Sequence, residues 1–218
     1  MSVRNPLLAL GLMALMAVGL TACGESETPT QTGEGYEILP SDRTLGNPKS
    51  KVVLIEYAAH TCPACAGFNE RTFPLLKANY IDTGKILYVF RLFPLRADDG
   101  AAEKIARCLP EDKYFAFVDL LFRNHPKWNV EYGVQSPEGV RAGLVQLGRI
   151  AGMSEAQVDQ CMVNTAEDDR INKVATDAAR YNVTGTPTLV LNGVSKGSGA
   201  MGYEALAKLL DEELAKQK

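Results

Sequence analysis

The sequence predicts an α/β fold in which a βαβ unit is followed by a long all-helical insertion and then by a ββα return. Three observations carry this. Val52-Val53-Leu54-Ile55-Glu56-Tyr57 and Lys85 to Phe93 are apolar, β-branched and aromatic runs of strand length, with a helical pattern between them. From Asp98 to Tyr181 the apolar residues recur at helical spacing. Beyond residue 182 the strand pattern returns, and the chain closes on an amphipathic helix. Two parallel central strands are expected, because a strand–helix–strand crossover joins parallel neighbours.

Taken in order, Met1 to Ala22 is a targeting segment. Arg4 supplies a positive start, and Leu7 to Leu20 is apolar but shorter than the about 20 residues of a membrane span. Leu20-Thr21-Ala22-Cys23 resembles the bacterial lipobox, so Cys23 is the expected lipidation site. Residues 23–35 have no aliphatic or aromatic side chain and read as a flexible tether. Tyr36 to Leu39 is a short edge strand, and Pro40 to Pro48 a polar turn. Pro74 falls inside the first helical pattern and predicts a break near Phe73. Within the block, helices are expected over 101–109, 113–122, 137–151, 154–162 and 167–181. Ser136 before Pro137 and Ser154 before Gln157 supply helix starts. Thr184 to Gly193 reads as a loop, a strand and a turn, and the glycine-rich 194–200 run as a weaker strand at an edge. Tyr203 to Lys216 is the closing helix.

The chemistry is concentrated in His60-Thr61-Cys62-Pro63-Ala64-Cys65. Pro63 suits the first helical turn, where its missing N–H has no intrahelical partner. Cys62 then sits at the helix N-terminus, whose backbone N–H groups and dipole favour a thiolate. Cys62 is expected to be exposed, with Cys65 one turn later and pointing into the fold. An attacking thiol beside a sheltered resolving thiol suffices for dithiol–disulfide exchange. Paired cysteines at this spacing also bind zinc, but a structural zinc site needs four ligands and no second closely spaced Cys or His pair follows. The rival reading is a soft-metal protein that binds Cu(I) through His60, Cys62 and Cys65.

With Cys23, Cys62 and Cys65 assigned, Cys108 and Cys161 remain as a structural disulfide or as two buried thiols. Without Met1 to Ala22 the chain has 22 basic and 26 acidic residues, a formal charge of −4. That balance argues against nucleic-acid binding, which needs clustered positive charge. No cofactor motif is present: the glycines around Gly197 to Gly202 lack the strand-to-helix setting of a phosphate loop.

The order of elements, together with Cys62-Pro63-Ala64-Cys65, Thr186-Pro187 and Glu56, resembles the periplasmic disulfide oxidoreductases of the DsbA type. The resemblance covers the chain from about Tyr36 onward. It implies a thioredoxin-like fold with an inserted all-helical subdomain: residues 36–97 and 182–218 form the thioredoxin-like domain and 98–181 the insertion. It further implies that Cys62 and Cys65 are a redox-active disulfide, that Thr186-Pro187 is a cis-proline loop facing it, and that Glu56 is the buried acid beneath. His60 is placed with Thr186 and Pro187 as a substrate-facing residue. Cysteine-containing proteins are the implied substrates, with a quinone-linked oxidase or a thiol reductant of the membrane as redox partner. The implied location is the periplasm, tethered only through the lipid on Cys23. The sequence departs from the strongest oxidants of this type at Ala64, where they carry histidine, and at Thr186. Cys62 is therefore expected to be less acidic, and its disulfide less oxidising, than theirs. An isomerase remains as a further reading, although the polar N-terminal segment offers no dimerisation domain.

Overall fold

The computed structural model describes residues 32–33 and 35–217. The targeting segment, Cys23 and most of the expected tether lie outside these residues. Strands β1 (Thr32–Gly33) and β2 (Tyr36–Glu37) pair with each other, so the last part of the expected tether and the expected edge strand form a small ladder of their own.

The main sheet has five strands: β3 (Arg43–Gly46), β4 (Val53–Ala58), β5 (Leu87–Leu92), β6 (Thr188–Leu191) and β7 (Val194–Ser198), in the order β3-β5-β4-β6-β7. The β4 and β5 strands are parallel and central, as the crossover requires; the other pairings are antiparallel. Every residue of β4, β5 and β6 is buried, which is why these segments read as near-continuous apolar runs. The glycine-containing β7 lies at one edge. The other edge, β3, falls in the segment expected to be a polar turn. Its burial alternates and Leu45 is its one large apolar residue, so the pattern that marks a strand is too short to read.

Between β4 and β5 run α1 (Pro63–Arg71), α2 (Phe73–Leu76) and a π-helical turn at Lys77–Ile81. The break falls at Thr72, next to Phe73, where Pro74 interrupts the ladder. Between β5 and β6 come α3 (Ala97–Cys108), α4 (Tyr114–Arg123), α5 (His125–Trp128), α6 (Pro137–Ile150), α7 (Glu155–Met162) and α8 (Ala166–Asp177). Ser136 and Ser154 cap α6 and α7 through their hydroxyls, and Gln157 completes a capping box. Helix α9 (Tyr203–Ala215) closes the chain.

The sheet separates two cores. Leu54, Ala58, Tyr88 and Phe90 face α1, α9 and helices α3 to α7 in the larger one. Val53, Ile55, Tyr57 and Val89 face Val174, Ala178 and Tyr181 in the smaller one. The last stretch of the expected insertion therefore covers the sheet's far face, while on the other side α4 packs against α1. A bridge between Cys108 and Cys161 ties α3 to α7.

Candidate active site

The site forms where β4 ends and α1 begins. Ala59 to Cys62 turn sharply, with the Cys62 N–H donating to the Ala59 carbonyl at 3.1 Å. Cys62 is the N-cap of α1 in extended conformation, and Pro63 opens the helix. Its Sγ accepts a hydrogen bond from the Cys65 backbone N–H at 3.2 Å. Facing it, the Thr186–Pro187 peptide is cis, and the Cys62 thiol lies 3.5 Å from the Thr186 carbonyl oxygen, to which it donates. That loop is held by the Thr188 hydroxyl on the Gly185 carbonyl and by the Gly199 N–H on the Pro187 carbonyl.

Both cysteines are free thiols in this structure and both are buried, so the expectation of an exposed Cys62 is corrected. Cys62 keeps 5% of its surface and Cys65 none; the exposed residues of the motif are Pro63 and Ala64. Their chemistry nonetheless diverges. Hydrogen bonding from the Cys65 thiol, with the α1 backbone, outweighs burial and brings Cys62 from 9.0 down to about 6. Burial pushes Cys65 far upward, and its bond to Cys62 adds to the effect. The pair thus holds one ready thiolate and one proton-retaining partner.

Glu56 lies beneath the dithiol, on the face of β4 that packs toward α1, and is 3% exposed. Burial raises its carboxyl from 4.5 to about 7, against a 2.6 Å hydrogen bond from the Tyr88 hydroxyl that favours the carboxylate. Glu56 also adds to the charge that keeps Cys65 protonated.

His60 does not face substrate. It is wholly buried, and its Nε2 sits 2.9 Å from Glu103 on α3, so the substrate-facing placement is corrected. Glu103 also meets Arg107, Arg170 and the Tyr114 hydroxyl. Burial opposes the carboxylate there, but the His60 bond and the two arginines hold it well below the usual range. Only the Nε2 edge of His60 is used by Glu103; its Nδ1 has no hydrogen-bond partner. Among the described residues no group of three or more His, Cys, Asp or Glu side chains converges to hold a metal ion.

Several residues that shape this site carry no local signal in the sequence. Asp99, His125 and Asn129 reach the turn before Cys62 from the helical insertion, and Tyr88 reaches Glu56 from β5. Only the acidic pair Asp99 and Glu103, one helical turn apart at the buried start of α3, hints at a polar task.

A mixed sheet that presents a dithiol at a helix start, opposite a cis-proline loop, defines a dithiol protein of thioredoxin type. The chain belongs to the thioredoxin family, whose model (Thioredoxin_4) matches residues 39–212. It is 32% identical over 192 residues to a Rickettsia prowazekii protein provisionally named a protein-disulfide oxidoreductase, covering 84% of this chain and 66% of that one. The chain thus spans just under two thirds of that relative's length. The crystal structure of Wolbachia pipientis alpha-DsbA1 is 28% identical with a TM-score of 0.73, covering 82% of this chain and 94% of that one. BdbD from Bacillus subtilis, 18% identical with a TM-score of 0.68 over 80% of this chain and 93% of that one, shares the fold.

Proposed function

We propose that the protein is a thiol:disulfide oxidoreductase that exchanges disulfides with cysteine-containing proteins through Cys62 and Cys65. The observation that carries this is the Cys62 Sγ at the start of α1, 3.2 Å from the Cys65 backbone N–H and facing the cis Thr186–Pro187 peptide. In the reducing direction the Cys62 thiolate attacks a substrate disulfide, forming a mixed disulfide and releasing one substrate thiolate. Cys65 passes its proton to Glu56 and attacks the Cys62 sulfur, releasing the second thiolate and leaving a Cys62–Cys65 disulfide. The oxidising direction is the reverse. A substrate thiolate attacks Cys62, Cys65 leaves and takes a proton from Glu56, and the substrate's second thiol displaces Cys62. The Thr186 backbone beside Cys62 offers an incoming peptide strand-like hydrogen bonds.

Tethering in the periplasm through a lipid on Cys23, with a membrane redox partner, belongs to the same reading and is supported by the Leu20-Thr21-Ala22-Cys23 sequence. Among the described residues no helix is long and apolar enough to cross a membrane. The test is to mix Cys65→Ser and Cys62→Ser variants with a disulfide-bonded peptide and weigh the products. Cys65→Ser is expected to accumulate a peptide adduct at Cys62, while Cys62→Ser forms none. Equal adducts in both variants, or none in the first, would overturn the assignment.

A further inference from the structure

The two residues that precede Cys62 are gripped by the helical insertion to an unusual degree. The His60 carbonyl accepts a hydrogen bond from His125 Nε2 at 2.7 Å. The Thr61 N–H donates to Asp99 Oδ1 at 2.7 Å, and the Thr61 carbonyl accepts from Asn129 Nδ2 at 2.7 Å. All three side chains are buried, and each is itself fixed. Asp99 Oδ2 accepts the N–H groups of Leu95 and Arg96. Asn129 Oδ1 accepts that of Glu131. The His125 ring packs among Phe122, Trp128 and Tyr132. Burial lowers the pKa of His125, which keeps it a neutral donor through Nε2.

A loop that only needed covering can be packed with apolar side chains. Burying polar groups carries a desolvation cost that hydrogen bonds must offset, and here those bonds converge on one dipeptide, His60-Thr61. The consequence is geometric. The Thr61–Cys62 peptide plane is held at its carbonyl by Asn129 and at its N–H by the Ala59 carbonyl. The preceding plane is held at its carbonyl by His125 and at its N–H by Asp99. With both planes fixed, the direction in which Cys62 projects Sγ toward the α1 backbone is fixed as well. The titratable groups that act on Cys62 from its own surroundings are Cys65 on α1 and Glu56 on β4. His60, Asp99, Glu103 and His125 lie behind the turn.

We propose that Asp99, His125 and Asn129 are positioning residues for the dithiol reaction, aiming Cys62 at the backbone donors of α1 so that the helical insertion sets the reactivity of the nucleophile. The proposal rests on the reading of Cys62 as that nucleophile. It makes α3, α5 and the residue after α5 part of what tunes the redox pair, in addition to covering it.

The test compares His125→Phe, which removes the donor, with His125→Gln, whose amide nitrogen can occupy the place of Nε2. Asn129→Asp keeps the acceptor for Glu131 and removes the donor to Thr61. For each full-length reduced protein, the thiolate absorbance of Cys62 is titrated and the Cys62–Cys65 couple is equilibrated with glutathione. Circular dichroism of the same samples reports folding. His125→Phe and Asn129→Asp are expected to raise the titration midpoint and to shift the equilibrium with glutathione three- to tenfold toward the protein disulfide, where tenfold is about 30 mV. His125→Gln is expected to stay within about twofold of wild type, a rescue that a purely structural role would not require. Folded Phe and Asp variants with wild-type titration and equilibrium would overturn the proposal. So would the failure of both to fold, since a role in folding alone then accounts for the contacts. A wild-type Cys62 that titrates near ~8.5, the unperturbed thiol value, would instead sink the nucleophile reading before any variant is made.

Discussion

At the scale of residues, the site depends on three groups whose surroundings separate their proton affinities: Cys62 low, Cys65 high and Glu56 near neutrality. The value of about 6 for Cys62 lies well above the ~3.5 of DsbA and closer to the ~7 of thioredoxin. Glu56 gives a prediction with a definite sign. Its folded-state pKa of about 7 exceeds the ordinary 4.5, so between those pH values the folded protein binds more protons than the unfolded chain. Stability from this group is complete below 4.5 and is lost as pH rises through 7. Glu56→Gln is therefore expected to match wild type in acid and to be more stable above pH 7, by roughly 3 kcal/mol for a shift of this size. The same variant should slow resolution of the mixed disulfide and flatten its rise with pH through 7. Urea unfolding across pH and stopped-flow resolution rates check both; equal stability at every pH contradicts the buried-acid account. The dithiol was legible because its signal lies within four residues, whereas Thr186-Pro187 and Glu56 were legible only through the resemblance. The partner of His60 was not, since Glu103 lies 43 positions away and only tertiary folding joins them.

At the scale of elements, α1 supplies the N-terminal donors, and the insertion supplies the frame that holds its first residue. Helix α5 approaches α6 closely enough to serve that frame because α6 carries Gly143. A Cβ there would fall 2.2 Å from the Lys127 carbonyl oxygen and 2.6 Å from the Trp128 Cβ. The Cys108–Cys161 bridge ties the end of α3 to α7 across 53 positions and so steadies the helix that bears Asp99 and Glu103. Replacing both cysteines by alanine is expected to cost about 4 kcal/mol in the chain-entropy account. Guanidinium unfolding of the double variant measures this, and a loss below about 1 kcal/mol would mean that packing alone holds α3 on α7. The helices of the insertion were readable from their periodicity and serine caps. Edge strand β3 was not: it shows the core little beyond Leu45 and takes its conformation from pairing with β5.

At the scale of the whole molecule, one mixed sheet divides two cores, and the chemistry lies on the side of the larger. The smaller side is anchored by Arg91, buried on β5, which pairs with Asp42 at 2.7 Å and bonds the Tyr57 hydroxyl and the Glu37 carbonyl. These contacts hold the N-terminal turn against the sheet, while α8 packs beside it. The far-face role of α8 was hidden in the sequence because its apolar stripe looks the same whether it meets a helix or a sheet. Among the described residues the fold therefore delivers an asymmetric dithiol, with Cys62 keeping 5% of its surface and Cys65 none. The most direct test is alkylation of the reduced protein with iodoacetamide across pH 4 to 10, read residue by residue by mass spectrometry. The account predicts labelling of Cys62 with a midpoint near 6, and of Cys65 only after unfolding. A midpoint near 9, or labelling that reaches Cys65 first, would contradict it.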